Sequence, residues 1–264
     1  MAARLVDYHI HTVLSDGEGE HRDYIEAAKR KNLGEIGFSE HLCLKDVVWT
    51  MDPNRIEEMV KLIEELKKDS PINIRSGLEI DYLPGYEPQI EAIINRYSFD
   101  YTIGSVHFIG DFNFDSRDYI GEYERWEIYE LYKRYFRLIQ GTARSGLFDI
   151  IGHADVIKKY GFRPSQDISE LLIETASVFK KTGVCIEVNT NGLKKPCQEV
   201  YPSSDFLKLC FQKGVPITLG SDGHRPEEVG QNFDVAIEMI KNVGYKKMAR
   251  FEKRKRTLIT LPGL

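Results

Sequence analysis

Residues 5–17 read Leu5-Val6-Asp7-Tyr8-His9-Ile10-His11-Thr12-Val13-Leu14-Ser15-Asp16-Gly17. Leu5 to His11 has the pattern of a β-strand, and residues two apart in a strand face the same side. His9 and His11 therefore project together from its end, with Tyr8 and Ile10 turned away. In parallel α/β folds, sites form at the carboxyl ends of strands, where loops bring distant residues together. This pair of imidazoles lies at such an end, so the question is what else the chain delivers to the same place.

Working outward, short strand-like runs alternate with longer helical patterns. Strands are expected over 5–11, 35–41, 72–82, 101–108, 148–153, 184–189 and 216–221. Helices are expected over 23–31, 54–68, 88–97, 122–142, 168–181, 204–213 and 227–242, and 258–261 adds an edge strand or packed tail. The clearest helix has Ile56, Met59, Val60, Ile63 and Leu66 at 3–4 spacing, with Pro53 and Asn54 as start signals. Seven βα units imply a parallel sheet with helices outside. The cadence alone allows an open sheet or a closed barrel.

The histidines favour the barrel. Six of the seven lie at or just past a predicted strand end: His9 and His11, His41, His107, His153 and His224. Glu79 lies late in the third strand, and Asp222 follows the seventh. Ligands from six strands converge on one point most easily if the sheet closes. A single strand-end histidine is more often a structural hydrogen-bonder, and His21, early in a helix, fits that description. Six such positions with two carboxylates do not. Imidazole and carboxylate together suit zinc, iron or manganese. The donors exceed one ion's needs, and a carboxylate such as Glu79 can bridge two ions that clamp a phosphoryl group.

Composition bounds the rest. The chain has 264 residues, 36 Lys+Arg against 41 Asp+Glu, a formal charge of -5, and 42% hydrophobic residues. That excludes wholesale disorder, and one domain over 1–264 is expected. No apolar run approaches the ~18 residues of a membrane span. The acidic balance argues against a dedicated nucleic-acid binder. Arg4 and Asp7 interrupt any signal-peptide core. Cys43, Cys185, Cys197 and Cys210 are scattered, so no disulfide framework is indicated and a reducing cytoplasm is the default.

The run His9 to Gly17 resembles the opening motif of the PHP (polymerase and histidinol phosphatase) superfamily. Ser39-Glu40-His41, Gly77-Leu78-Glu79, Gly104-Ser105-Val106-His107, Gly152-His153-Ala154-Asp155 and Gly220-Ser221-Asp222-Gly223-His224 resemble its later motifs in order. The resemblance implies a distorted (β/α)7 TIM-like barrel holding two or three divalent ions, with phosphoester hydrolysis as the common chemistry. It implies one ion held by His9, His11, Glu79 and Asp222. A second is implied on Glu79, His107 and His153, and a third on Asp16, His41 and His224. Some members have a histidine where this chain has Gly17, which leaves Glu18 and Glu20 as alternatives to Asp16.

Within the superfamily, Glu187 to Lys195 and Pro216 to Gly230 are most similar to the monofunctional histidinol-phosphate phosphatases of histidine biosynthesis. Many of those have Arg at Lys194 and Ala at Gly223. The implied reaction is hydrolysis of a small phosphomonoester, L-histidinol phosphate, by a hydroxide bridging two metals. Glu79, Asp222 and Arg225 are the catalytic candidates. Alternatives are another phosphoester (a nucleotide, a nucleic-acid end or phosphotyrosine) and a non-catalytic relic of the site. Arg225, Lys194 and Arg163 are expected to contact phosphate. Asp155 is expected either to accept a substrate cation or to orient a histidine. The aromatic 110–121 loop is expected as an anchored surface loop that could instead close over substrate. The stripe Tyr123, Trp126, Tyr129, Tyr132, Tyr135 and Phe136 should pack on the barrel. The basic cluster over 246–256 is expected as a solvated helix face.

Overall fold

The computed structural model describes residues 5–263. In chain order its regular elements are β1 (Val6–Asp7), α1 (His21–Arg30), β2 (Glu35–Leu42), α2 (Ile56–Asp69), β3 (Asn73–Asp81), α3 (Glu87–Arg96), β4 (Tyr101–Ser105), β5 (Phe108–Ile109), β6 (Phe112–Asn113), α4 (Ile128–Ser145), β7 (Ile150–Ile151), α5 (Ser169–Thr182), β8 (Cys185–Asn189), α6 (Ser204–Lys213), β9 (Ile217–Gly220), α7 (Phe233–Val243), β10 (Lys247–Glu252) and β11 (Lys255–Thr260). Short 3-10 turns join several of them.

Seven strands form one parallel sheet in the order β1-β2-β3-β4-β7-β8-β9. The first strand then meets the last. Tyr8 N donates to Leu219 O (3.1 Å), Gly223 N to His9 O (3.2 Å) and His11 N to Gly223 O (3.0 Å). The sheet thus closes into the expected seven-stranded barrel. β1 is shorter than the predicted 5–11 strand because its pairing with β2 covers only Val6 and Asp7. Beyond them the chain turns toward Gly223, and Ile10 bridges to that residue.

Strands lined on one face by helices and on the other by the barrel interior must bury both faces. All eight residues of β2 are buried accordingly. Gly37 and Gly77 make room for one large residue. A Cβ on either would lie within 2.8 Å of the Tyr101 ring, and Tyr101 uses that space to reach Tyr8 O at 2.7 Å. Outside the barrel, Ile56, Met59, Ile63 and Leu66 of α2 and Leu131, Tyr132, Tyr135, Phe136 and Ile139 of α4 are buried as their spacing requires.

Two expectations change. The predicted 122–142 helix is a 3-10 stretch over Arg117–Arg125 followed by α4. Glu127 sets the boundary, since its carboxylate accepts Tyr129 N and Glu130 N and caps α4. The basic 246–256 segment is not a helix face: β10 and β11 pair as an antiparallel hairpin turning at Lys253 and Arg254. Phe251 N donates to Tyr8 Oη (3.0 Å), and Thr218 Oγ1 to Ala249 O (3.1 Å). Arg250 pairs with Glu35, and Arg254 with Asp149. These partners lie at strand beginnings, so the hairpin covers the amino end of the barrel and leaves the carboxyl end open.

Candidate metal centre

At the carboxyl end, nine side chains converge. Glu79, fully buried near the end of β3, is the hub. Its Oε2 lies 3.2 Å from His9 Nε2, 3.7 Å from His11 Nε2 and 2.6 Å from His41 Nδ1. Its Oε1 lies 2.9 Å from His153 Nε2 and 3.8 Å from His107 Nε2, and accepts Ser105 Oγ at 2.6 Å. Asp222 Oδ1 is 3.5 Å from His11 Nε2 and 3.9 Å from His9 Nε2. Asp16 Oδ1 is 3.4 Å from His224 Nε2 and 3.6 Å from His41 Nε2. Four overlapping groups arise, each with donor atoms within 4.8 Å of one another. They are His9, His11 and Glu79; Glu79, His107 and His153; His9, His153 and Asp222; and His11, Asp16, His41 and His224.

The donor chemistry fits divalent cations. His9 Nε2 and both ring nitrogens of His11 are buried without a hydrogen-bond partner among the described residues. Leaving such atoms unsatisfied is costly. Asp81 Oδ1 lies 3.1 Å from His107 Nδ1, and Nε2 of His107 lies 3.3 Å from Nε2 of His153, within reach of one shared cation. The electrostatics agree. Burial pushes the Glu79 carboxyl up, but the His9 and His41 imidazoles and hydrogen bonds from His153 and His41 outweigh it and hold it well below the usual range. Asp222 is likewise held down against burial, by His9, His11 and His224. Burial and the neighbouring His41 and His224 push His11 down to about 3, which keeps it a neutral donor.

A surrounding layer of carboxylates, not among the expected site residues, fixes the donors. Glu187 on β8 accepts His9 Nδ1 (2.6 Å), His153 N (2.9 Å) and Asn189 Nδ2 (3.1 Å). This leaves His9 Nε2 to face the centre. Glu40 accepts Thr12 N (3.0 Å), Thr12 Oγ1 (2.6 Å) and Ser15 Oγ (2.5 Å), pinning the loop that carries Asp16. Asp7 accepts Ser221 N (2.9 Å), Ser221 Oγ (2.6 Å) and Gly230 N (2.8 Å), which anchors the turn carrying Asp222 and His224. The available signal was period two: Asp7 shares a face with His9, and Glu187 with Asn189. Gly17 could not be a ligand-bearing residue on this backbone, because a Cβ there would lie 2.2 Å from His11 O. Of the alternatives to Asp16, Glu18 pairs with Arg225 and Glu20 caps α1.

The three expected phosphate contacts are not brought to the centre. Arg225 pairs with Glu18 (2.6 Å), Lys194 with Glu228 (3.0 Å) and Arg163 with Glu199 (2.8 Å), each about half exposed. Each long side chain finds a rim carboxylate that is near only in the fold. None of the three lines the cavity of about 330 Å³ above the ligands. That cavity is walled instead by Trp49, Asn113, Asp115, Lys159, Lys195 and Tyr201, with six of the nine candidate ligands at its base. Asp155 does not line that cavity. Its Oδ2 accepts the buried Lys158 Nζ (2.8 Å) and Ser203 N (2.8 Å). In the 110–121 loop, Phe112 and Phe114 are buried anchors, while Asn113 and Asp115 face the cavity.

The sequence profile of the PHP domain matches residues 7–191. A probable histidinol-phosphatase of Deinococcus radiodurans is 35% identical over 257 residues, covering 95% of this chain and 98% of the relative. The histidinol-phosphatase of Bacillus subtilis is 28% identical, covering 88% of this chain and 98% of its own length. Among solved structures, the histidinol phosphate phosphatase of Lactococcus lactis, complexed with zinc, L-histidinol and phosphate, superposes with a TM-score of 0.82. It is 26% identical, covering 96% of this chain and 99% of that one. With the ordered ligand motifs, the closed seven-stranded barrel and this profile match in agreement, the chain belongs to the PHP domain family.

Proposed function

We propose that this protein, as one phosphoesterase domain over 1–264, hydrolyses L-histidinol phosphate to L-histidinol and phosphate at a centre of two or three divalent cations. The observation that carries the reading is the Glu79 hub, a buried carboxylate on which five histidines converge from the ends of four other strands. Likeness to the Lactococcus lactis enzyme, which holds zinc, L-histidinol and phosphate, supports the substrate. His9, His11, Asp222 and Glu79 would hold one cation, and Glu79, His107 and His153 a second. Asp16, His41 and His224 would hold a third. Bound cations supply Lewis acidity, lowering the pKa of water and neutralising phosphoryl charge.

The chain's own residues do the rest. Glu79 and Asp222 stay ionised, so their negative charge is available at neutral pH. Lys195, on the wall, adds positive charge beside the bound phosphoryl group, while the charge of Lys159 is paired with Asp115. A cavity of about 330 Å³ is at the small end of ligand sites (~300–1,000 Å³), which suits a small phosphomonoester better than a nucleic-acid end. All four cysteines are free thiols, in keeping with a reducing cytoplasm. Among the described residues, no helix is long and apolar enough to cross a membrane.

Phosphate release from L-histidinol phosphate, nucleoside monophosphates and phosphotyrosine by metal-loaded enzyme tests the proposal. A preference of at least about tenfold in kcat/KM for L-histidinol phosphate is expected, about 1.4 kcal/mol in transition-state binding. Comparable rates on all three overturn the substrate assignment.

A further inference from the structure

Hydrolysis of a phosphate ester of an ordinary alcohol expels an alkoxide. So basic a leaving group departs readily when a positioned acid protonates it as the P–O bond breaks. The wall of the cavity offers few such acids. Six of the lining residues are candidate metal ligands. Asp115 is held ionised by Lys159 and pairs with it at 2.5 Å, which commits both charges. Burial pushes the Tyr201 hydroxyl well above its ordinary value, which makes it a poor acid. Trp49, Asn113, Ser116, Val156 and Asn191 carry no group that titrates near neutrality. Lys195 is what remains.

The backbone holds Lys195 on that wall. It lies in the loop after β8, whose ends are pinned together: Asn189 N donates to Tyr201 O (2.7 Å) and Tyr201 N to Asn189 O (2.9 Å). Within the loop, Lys195 N donates to Gly192 O (3.0 Å) and Gln198 N to Lys195 O (2.9 Å). Cys197 N donates to Lys159 O (3.0 Å), tying the loop to the neighbouring part of the wall. The two adjacent lysines have different fates. Lys194 is drawn to Glu228 at 3.0 Å, whereas half-buried Lys195 has no ion-pair partner among the described residues. A lysine ammonium is charged at neutral pH, so Lys195 brings an uncommitted cation with a transferable proton to the cavity.

We propose that Lys195 Nζ is the general acid that protonates the leaving oxygen of an alkyl phosphomonoester. This rests on the phosphatase reading above and adds the proton donor. In the step, the oxygen of water bonds to phosphorus and one water proton passes to solvent. The P–O ester bond breaks with its electron pair going to the ester oxygen, which takes a proton from Lys195 Nζ. The alcohol and phosphate leave, and the neutral amine regains a proton from solvent.

The test compares L-histidinol phosphate, whose alkoxide needs a proton, with p-nitrophenyl phosphate, whose phenolate leaves without one. Both are assayed with metal-loaded wild-type, Lys195→Met and Lys195→Arg enzyme. The readout is the ratio of kcat/KM on the alkyl ester to that on the aryl ester. Taken within one preparation, the ratio does not depend on the fraction folded. Positive charge beside the phosphoryl group acts on both esters alike, so the ratio isolates proton transfer. It should fall about 100-fold in Lys195→Met. It should stay low in Lys195→Arg, because guanidinium keeps the charge but does not give up its proton. An unchanged ratio in Lys195→Met, or a wild-type ratio in Lys195→Arg, overturns the general acid and leaves the phosphatase reading standing. Wild-type enzyme inactive on both esters overturns the phosphatase reading, and the general acid with it.

Discussion

Glu187 sits one hydrogen bond behind the metal centre, with its two oxygens shared among His9 Nδ1, His153 N and Asn189 Nδ2. In Glu187→Gln, one oxygen becomes an NH2 that cannot accept from either neighbour. The His9 ring then loses its fixed tautomer and orientation. Metal affinity should fall about 10- to 100-fold, as measured by competition with a chelator. Glu35 at the opposite barrel end is a structural counterpart. Burial raises its carboxyl, but hydrogen bonds from Arg250, Tyr8 and Arg75 outweigh this and lower it. A folded-state pKa below the unfolded value adds stability above the unfolded pKa that is lost as pH falls through the folded one. Glu35→Gln should therefore cost about 3 kcal/mol at neutral pH, and its melting temperature should fall less steeply than wild type below pH 5. At this scale the metal donors were legible because histidine and carboxylate chemistry is specific. The cations were not, since Arg225, Lys194 and Arg163 look alike in sequence wherever their side chains end up.

At the scale of elements, strand period and helix spacing placed all seven barrel strands and their helices. The hairpin of β10 and β11 escaped because its turn has no local signal. Two-residue hairpin turns with positive φ at both positions favour Asn-Gly, whereas here Lys253 and Arg254 adopt φ of 50° and 62°. Tertiary contacts impose that shape: Lys253 N donates to Asp100 Oδ1 (3.0 Å) and Arg254 N to Asp100 O (2.9 Å). The close approach of β2, β3 and β4 around Tyr101 gives an element-scale prediction. In Gly77→Ala the new Cβ would meet the Tyr101 ring at 2.4 Å. An expected loss of about 2–3 kcal/mol would appear as a lower urea midpoint.

For the whole molecule, closure of the barrel and assembly of the metal centre are one event. Tyr8, His9 and His11 make the hydrogen bonds that join β1 to the last strand and its following turn, and the same His9 and His11 are candidate ligands. Cations bound at the centre span six strands and have no equivalent site in the unfolded chain, so they stabilise the fold by mass action. Stripping them with a chelator should lower the melting temperature by several degrees, and added zinc or manganese should restore it. Calorimetry with and without chelator checks this. The sequence by itself determined the strand cadence, the donor set and the family motifs, because period, residue chemistry and short-range spacing are local properties. Only the tertiary structure decided which charges reach the cavity: Lys159, Lys195 and Asp115 face it, while Arg163, Lys194 and Arg225 are drawn to carboxylates on the rim. A salt-bridge partner is chosen by distance in space, and residues such as Arg225 and Glu18, 207 positions apart, become neighbours only when the barrel closes.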